Sequence, residues 1–190
     1  RDLPSGTLDA LAAAIPAGGK GPGFEPLFVT RAQMDRSLDV FPIEWMDILE
    51  RRLLLEGEDV LATIEVPRTH LRQQLEHELR GKHLQLRQAY LAGFRHPDAQ
   101  RETLARMASG FHTLFRTLLR LRGETPPAST ERVIERLADL FRLDARGLLG
   151  AYLVRYSERK YAADEIRGVY RAFMIEIDRL IHAIDELKLP

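Results

Sequence analysis

The chain has 190 residues, of which 45% are hydrophobic and 29% are charged, and it contains no cysteine. This length suits one domain or two small ones, and the absence of cysteine excludes a disulfide framework, a thiolate metal site and a cysteine nucleophile. No run reaches the ~18 apolar residues that a membrane span requires, and no signal-peptide pattern opens the chain. We therefore expect a cytoplasmic protein that makes no contact with a membrane.

The net charge is zero, which argues against a general nucleic-acid-binding surface. The charges are nevertheless unevenly distributed, since residues 35–65 carry a net charge of −6 and residues 66–122 carry +7. Two such segments could hold a metal ion and a phosphate chain between them, or they could simply attract each other or face solvent. The composition leaves these alternatives open.

The first third of the chain mixes helix and strand patterns. A short helix is expected at Thr7–Ile15, followed by a flexible glycine-rich loop at residues 17–23. The apolar runs Phe24–Val29 and Val40–Leu49 have the composition of strands. Between them, Thr30 opens a capping-box pattern that predicts a short helix. A strand, a helix and a second strand indicate an α/β or α+β arrangement.

From Pro67 onward the pattern is helical. Proline suits the first turn of a helix, and apolar residues then recur at intervals of three and four. Ser129 or Thr130 is the expected N-cap of a third helix, Asp144 that of a fourth, and the last helix is expected to begin near Asp164. Five helices with short connections predict an antiparallel bundle.

These patterns together predict an α+β protein. Residues 1–66 would form a partial α/β domain, and residues 67–190 would form a C-terminal five-helix bundle. The first residue is arginine rather than methionine, and we expect upstream residues to exist.

The most informative motif is Glu-Leu-Arg-Gly-Lys, which runs from Glu78 to Lys82. Lys82 falls in line with the apolar stripe of Leu75, Leu79 and Leu86, where a lysine must be paired, reach the surface or face a polar cavity. Glu78 precedes Lys82 by four residues, so an ordinary helix salt bridge is one interpretation. The other is a general base beside a cation that neutralises a nucleotide phosphate, as nucleotidyl transfer requires.

This run, followed by an Arg-containing helix, is similar to the corresponding helix of the kanamycin-type aminoglycoside nucleotidyltransferases. More broadly, the order of elements resembles the DNA-polymerase-β-like nucleotidyltransferase superfamily with a C-terminal helical bundle. The resemblance implies that Glu78 is a general base toward the acceptor hydroxyl and that Lys82 contacts the nucleoside triphosphate. It also implies Mg²⁺ and ATP as cofactors, and an aminoglycoside as the acceptor.

The chain departs from the family pattern at the metal site. The family signature is a Gly-Ser turn followed by an Asp-x-Asp pair, and neither occurs in this sequence. We expect those residues upstream of Arg1, the alternative being an inactive chain, and the metal ligands stay unassigned. For the third carboxylate of the family, Glu44 is the first candidate because a charge in mid-strand needs a reason. Asp47, on the opposite face of a regular strand, and Glu25 are the others.

The sequence and the resemblance leave two alternative functions, which belong to different classes. The first is an enzyme that transfers a nucleoside monophosphate from a Mg²⁺-bound triphosphate to a hydroxyl of a small molecule. The second is a non-catalytic helical binding or dimerisation module, with a degenerate nucleotidyltransferase portion. The expected partners are a nucleotide and a small-molecule acceptor, with a homodimer as a further expectation.

Overall fold

The computed structural model describes residues 3–15, 26–157 and 160–187. Within these ranges the secondary structure consists of eight helices, and no residue lies in a strand. The helices are α1 (Ser5–Ala14), α2 (Arg31–Asp35), α3 (Pro42–Arg51), α4 (Arg68–Ala92), α5 (Pro97–Leu121), α6 (Thr130–Phe141), α7 (Ala145–Val154) and α8 (Ala163–Asp185). The α+β fold expected from the sequence is therefore wrong for the described residues, which form an all-α structure.

The correction concerns the run Val40–Leu49, which forms most of α3 rather than a strand. Pro42 occupies the first turn of this helix, where proline needs no hydrogen-bonded N–H. Trp45, Ile48 and Leu49 then fall on one helical face and pack in the apolar cluster of this part of the chain. A short apolar run is ambiguous between strand and helix from the sequence alone, and the structure shows that this one is a helix.

The other expected strand, Phe24–Val29, is described only from Pro26 onward, and Pro26–Val29 have no regular secondary structure. Phe24, Glu25 and the glycine-rich loop at 17–23 lie outside the described residues.

The chain divides into two compact units, Arg1–Pro67 and Arg68–Pro190. In the first unit, the buried side chains of Met34, Trp45 and Ile64 form a small apolar cluster. The indole N–H of Trp45 donates a hydrogen bond of 2.9 Å to the Ser37 hydroxyl, which satisfies its polar atom inside the cluster. The predicted capping box of α2 is confirmed, because Thr30 and Gln33 exchange side-chain and backbone hydrogen bonds.

The second unit contains the five helices expected after Pro67. The hydroxyl of Ser129 caps α6 and the carboxylate of Asp144 caps α7, as the sequence predicts. Helix α5 packs against α4, α6, α7 and α8, and it therefore occupies the centre of this unit. The rings of Phe111 on α5 and Phe173 on α8 meet edge to face with centroids 5.2 Å apart.

Candidate functional site

The Glu78–Lys82 run lies near the middle of α4, the helix that packs against both α5 and α8. The leucines of its apolar stripe, Leu75, Leu79 and Leu86, are completely buried. Lys82 continues this stripe and is half-buried. A charged group thus occupies an inward-facing position of the bundle, which requires a structural or a functional reason.

The ammonium group of Lys82 lies over Gly110 of α5. A Cβ atom built on Gly110 would be 3.4 Å from Lys82 Nζ and 3.9 Å from Lys82 Cε. The glycine therefore leaves room for the end of the lysine between the two helices. Within the described ranges Lys82 forms neither a hydrogen bond nor an ion pair, so its positive charge is not neutralised by a neighbouring side chain.

Glu78 lies one helical turn before Lys82 and is also half-buried. The salt bridge that the four-residue spacing allows is not formed, and Glu78 has no hydrogen-bond or ion-pair partner among the described residues. The two groups lie on neighbouring parts of one helix face without neutralising each other. Both can therefore interact with a ligand without first breaking a salt bridge within the helix.

Gly81, between these two residues, is a second unusual feature of the run. Apart from its two chain neighbours and the backbone of α4 itself, a Cβ atom added at Gly81 would meet no atom within 4 Å. Close helix packing therefore does not explain the glycine, although glycine inside a helix costs about 0.8–1.0 kcal/mol relative to alanine. The space beside Gly81 leaves the α4 backbone accessible.

Arg80 has a structural role that the sequence analysis missed. Its guanidinium group donates a hydrogen bond of 3.1 Å to Glu76 and forms an ion pair with Asp185 near the end of α8. The hydrogen bond to Asp185 is the largest cause of the raised pKa of Arg80, and the same contact lowers the pKa of Asp185. The sequence contains no signal for this pair, because 105 residues separate its members.

The candidates for a third carboxylate lie in the first unit. Glu44 is exposed in the first turn of α3, where the helix dipole favours a negative charge, so the argument from a charge in mid-strand is wrong. Asp47 follows at a spacing of three on the same helix, which puts it on a neighbouring rather than the opposite face. Glu25 lies outside the described residues.

Glu44 borders an apolar groove of about 360 Å³ in the first unit. The other lining residues belong to α2, α3 and the segments before and between them: Leu27, Phe28, Val29, Gln33, Ser37, Phe41, Trp45 and Ile48. The groove can accept an apolar group beside a single carboxylate. Glu78 and Lys82 belong to the second unit.

The described residues provide no evident magnesium site. No group of three or more histidine, aspartate or glutamate side chains in these ranges is close enough to hold a metal ion. We therefore assign no catalytic step to a metal bound by these residues.

Comparisons of the chain with protein-family models, with curated proteins and with solved structures found no match. Among the described helices, none combines the length and the apolar character needed to cross a membrane.

Proposed function

We propose that this chain contributes the general base and the phosphate-binding cation of a nucleotidyltransferase. The reaction would transfer a nucleoside monophosphate from a nucleoside triphosphate, ATP by resemblance, to a hydroxyl group of a small molecule. An aminoglycoside is the acceptor that the resemblance implies. Since nucleoside triphosphates are abundant in the cytoplasm, we also propose a cytoplasmic location.

In the proposed step, the carboxylate of Glu78 accepts the proton of the acceptor hydroxyl. The acceptor oxygen forms a bond to the α-phosphorus, and the bond from that phosphorus to the oxygen leading to the β-phosphate breaks. Pyrophosphate leaves with the electron pair of that bond. Lys82 binds the triphosphate and offsets its negative charge.

The unpaired state of Lys82 carries this proposal. A half-buried ammonium group without an anionic partner is costly, and a triphosphate is a strong partner for it. Glu78 is unpaired one turn away, and the open space beside Gly81 leaves the helix surface next to Glu78 uncovered.

The test measures nucleotide affinity and turnover separately, with a matched control for each substitution. Lys82→Met should weaken binding of ATP and Mg²⁺ about tenfold in calorimetry, whereas Lys160→Met removes an exposed lysine and should change nothing. Glu78→Gln should lower the rate of pyrophosphate release about 100-fold at unchanged affinity, whereas Glu102→Gln, at an exposed position of α5, should not. Equal effects of Lys82→Met and Lys160→Met on affinity would contradict the proposal.

One observation favours the second candidate, a binding or dimerisation module. The first unit exposes large apolar side chains around its groove, with Leu27 71% and Phe41 51% exposed. If a second copy covers them, sedimentation should show a dimer that Phe41→Ser dissociates and Leu8→Ser, on α1, leaves intact. If the protein is a monomer at all concentrations, and Lys82→Met and Glu78→Gln change ATP binding and turnover as expected, the enzyme is favoured over the dimerisation module.

A further inference from the structure

A groove with an excess of positive charge runs between α4 and α8, on a different face of α4 from the Lys82–Gly110 contact. Its volume is about 500 Å³, within the range of small-molecule sites. Two residues of α4 and one face of α8 line it: His83, Arg87, Arg171, Met174, Ile175, Asp178 and Arg179.

The pairing of the two helices places Arg87 opposite Arg171. The helices are antiparallel, because Arg72 near the start of α4 donates to the carbonyl of Ile184 near the end of α8, at 3.2 Å. Farther along α4, the Tyr170 hydroxyl donates to the Leu86 carbonyl at 3.1 Å. The next residue on each helix is an exposed arginine, so two guanidinium groups border the same groove.

Neither of these arginines is neutralised within the described part of the chain. Arg87 and Arg171 donate no hydrogen bond and form no ion pair there. Arg179, by contrast, donates a hydrogen bond of 2.9 Å to Glu176. Because like charges repel, two unpaired guanidinium groups on opposite sides of one groove are stabilised when an anion binds between them.

The remaining groups do not cancel this charge. Asp178 is the one acidic residue of the lining, and it lies 3.8 Å from His83 and 3.7 Å from His182. Burial lowers the pKa of His83 against the opposing effect of Asp178, and Arg87 lowers it further. His83 is therefore neutral at pH 7, when the lining carries three arginines and one aspartate.

We propose that this groove binds a small phosphorylated molecule with an apolar portion. Arg87 and Arg171 would hold the phosphate from two sides, since its oxygens can accept from two guanidinium groups at once. The apolar portion would lie on Met174 and Ile175, which form the apolar part of the lining. This site is independent of the nucleotidyl-transfer proposal, because it uses neither Glu78 nor Lys82.

The test follows phenyl phosphate binding by NMR, with backbone amide signals as the reporters. Amide shifts are expected within residues 83–87 and 171–179. Arg87→Gln and Arg171→Gln should each weaken binding about tenfold, as expected for a lost charge-assisted hydrogen bond. Arg132→Gln is the matched control, because it removes the same charge from an exposed arginine of α6 and should leave affinity unchanged.

Further variants and ligands in the same experiment test which class of ligand the groove binds. Ile175→Ser should weaken phenyl phosphate but leave inorganic phosphate unchanged, and an equal loss for both would contradict the apolar contact. If Arg87→Gln and Arg132→Gln weaken phenyl phosphate binding equally, the proposed site is wrong. Tighter binding of an RNA oligonucleotide than of phenyl phosphate would also contradict the proposal. Loss of phenyl phosphate binding in Lys82→Met would also overturn it and would place the ligand at the Lys82 site instead.

Discussion

Gly81 offers a direct test of whether the motif on α4 is shaped by folding or by ligand binding. The residue lies inside a long helix, and a Cβ atom there would meet no atom within 4 Å beyond its chain neighbours and the helix backbone. If packing alone matters, Gly81→Ala should make the protein more stable. If a ligand approaches the helix at Gly81, the same substitution should also weaken ligand binding.

The expected gain follows from helix propensity without a steric correction. Alanine is favoured over glycine in a helix interior by about 0.8–1.0 kcal/mol, and no contact opposes the new methyl group. For a chain of 190 residues, about 1 kcal/mol corresponds to a rise in Tm of about 2–4 °C. Gly168→Ala in α8 is the matched control, because its Cβ would also meet no atom within 4 Å beyond its chain neighbours and the helix backbone.

Urea denaturation followed by far-ultraviolet circular dichroism measures both variants. We expect a similar increase in the midpoint for Gly81→Ala and Gly168→Ala, with an unchanged slope. In calorimetry with ATP and Mg²⁺, Gly81→Ala should bind more weakly and Gly168→Ala should not. A loss of stability in Gly81→Ala would refute the open geometry, and unchanged ATP affinity would refute the ligand approach.

Three other predictions concern the second unit and use the same denaturation assay. Gly147→Ala should destabilise the protein by about 1–2 kcal/mol, because its Cβ would lie 2.9 Å from Glu176 Cγ and 3.3 Å from a backbone oxygen of α8; a gain would contradict this contact. Tyr170→Phe should cost about 1 kcal/mol, because the buried Tyr170 hydroxyl donates to a backbone carbonyl of α4 at 3.1 Å; an unchanged midpoint would contradict it. Burial lowers the pKa of His83, so the unfolded chain takes up a proton at higher pH than the folded chain. The free energy of unfolding should therefore decrease as the pH falls through about 6.5, and the decrease between pH 7.5 and 5.5 should be smaller in His83→Gln.

The helices of the second unit could be predicted because local and periodic signals agree there. Apolar residues recur at three and four residues along α5 and α8, and Ser129 and Asp144 cap the two helices between them. Each signal lies within a few residues of the structure it specifies. The buried aromatic residues Phe111 and Phe173 follow from the same periodicity.

In the first unit, the predicted strand at Val40–Leu49 is wrong, because such a short run shows no clear periodicity of its apolar residues. Val40–Leu49 has the apolar content of a strand, and the signals for helix are Pro42 at the first turn and Arg51 in the last. The face formed by Trp45, Ile48 and Leu49 is recognisable only once their common cluster is known. A window of ten residues does not distinguish these alternatives by composition alone.

For the candidate site, the sequence identified the unusual residues but could not show their partners. The position of Lys82 on an apolar stripe was readable from spacing, whereas its contact with Gly110 depends on how α4 packs against α5. The spacing of Glu78 and Lys82 permits a salt bridge, and only the structure shows that it is not formed. The ion pair of Arg80 and Asp185 joins residues far apart in sequence and could not be inferred from either segment.

The cations of α4 differ in whether they have a partner among the described residues. Arg80 is paired with Asp185 of α8, so it stabilises the contact between those two helices. Lys82 faces α5 and Arg87 borders the groove with α8, and neither has a partner among the described residues. A helix that served only to pack would gain more from an apolar residue than from an unpaired cation at the half-buried position of Lys82, whereas Arg87 is exposed to solvent. Arg72 and Arg80 of the same helix are both paired, so the half-buried, unpaired Lys82 is the strongest structural argument that α4 binds an anionic ligand.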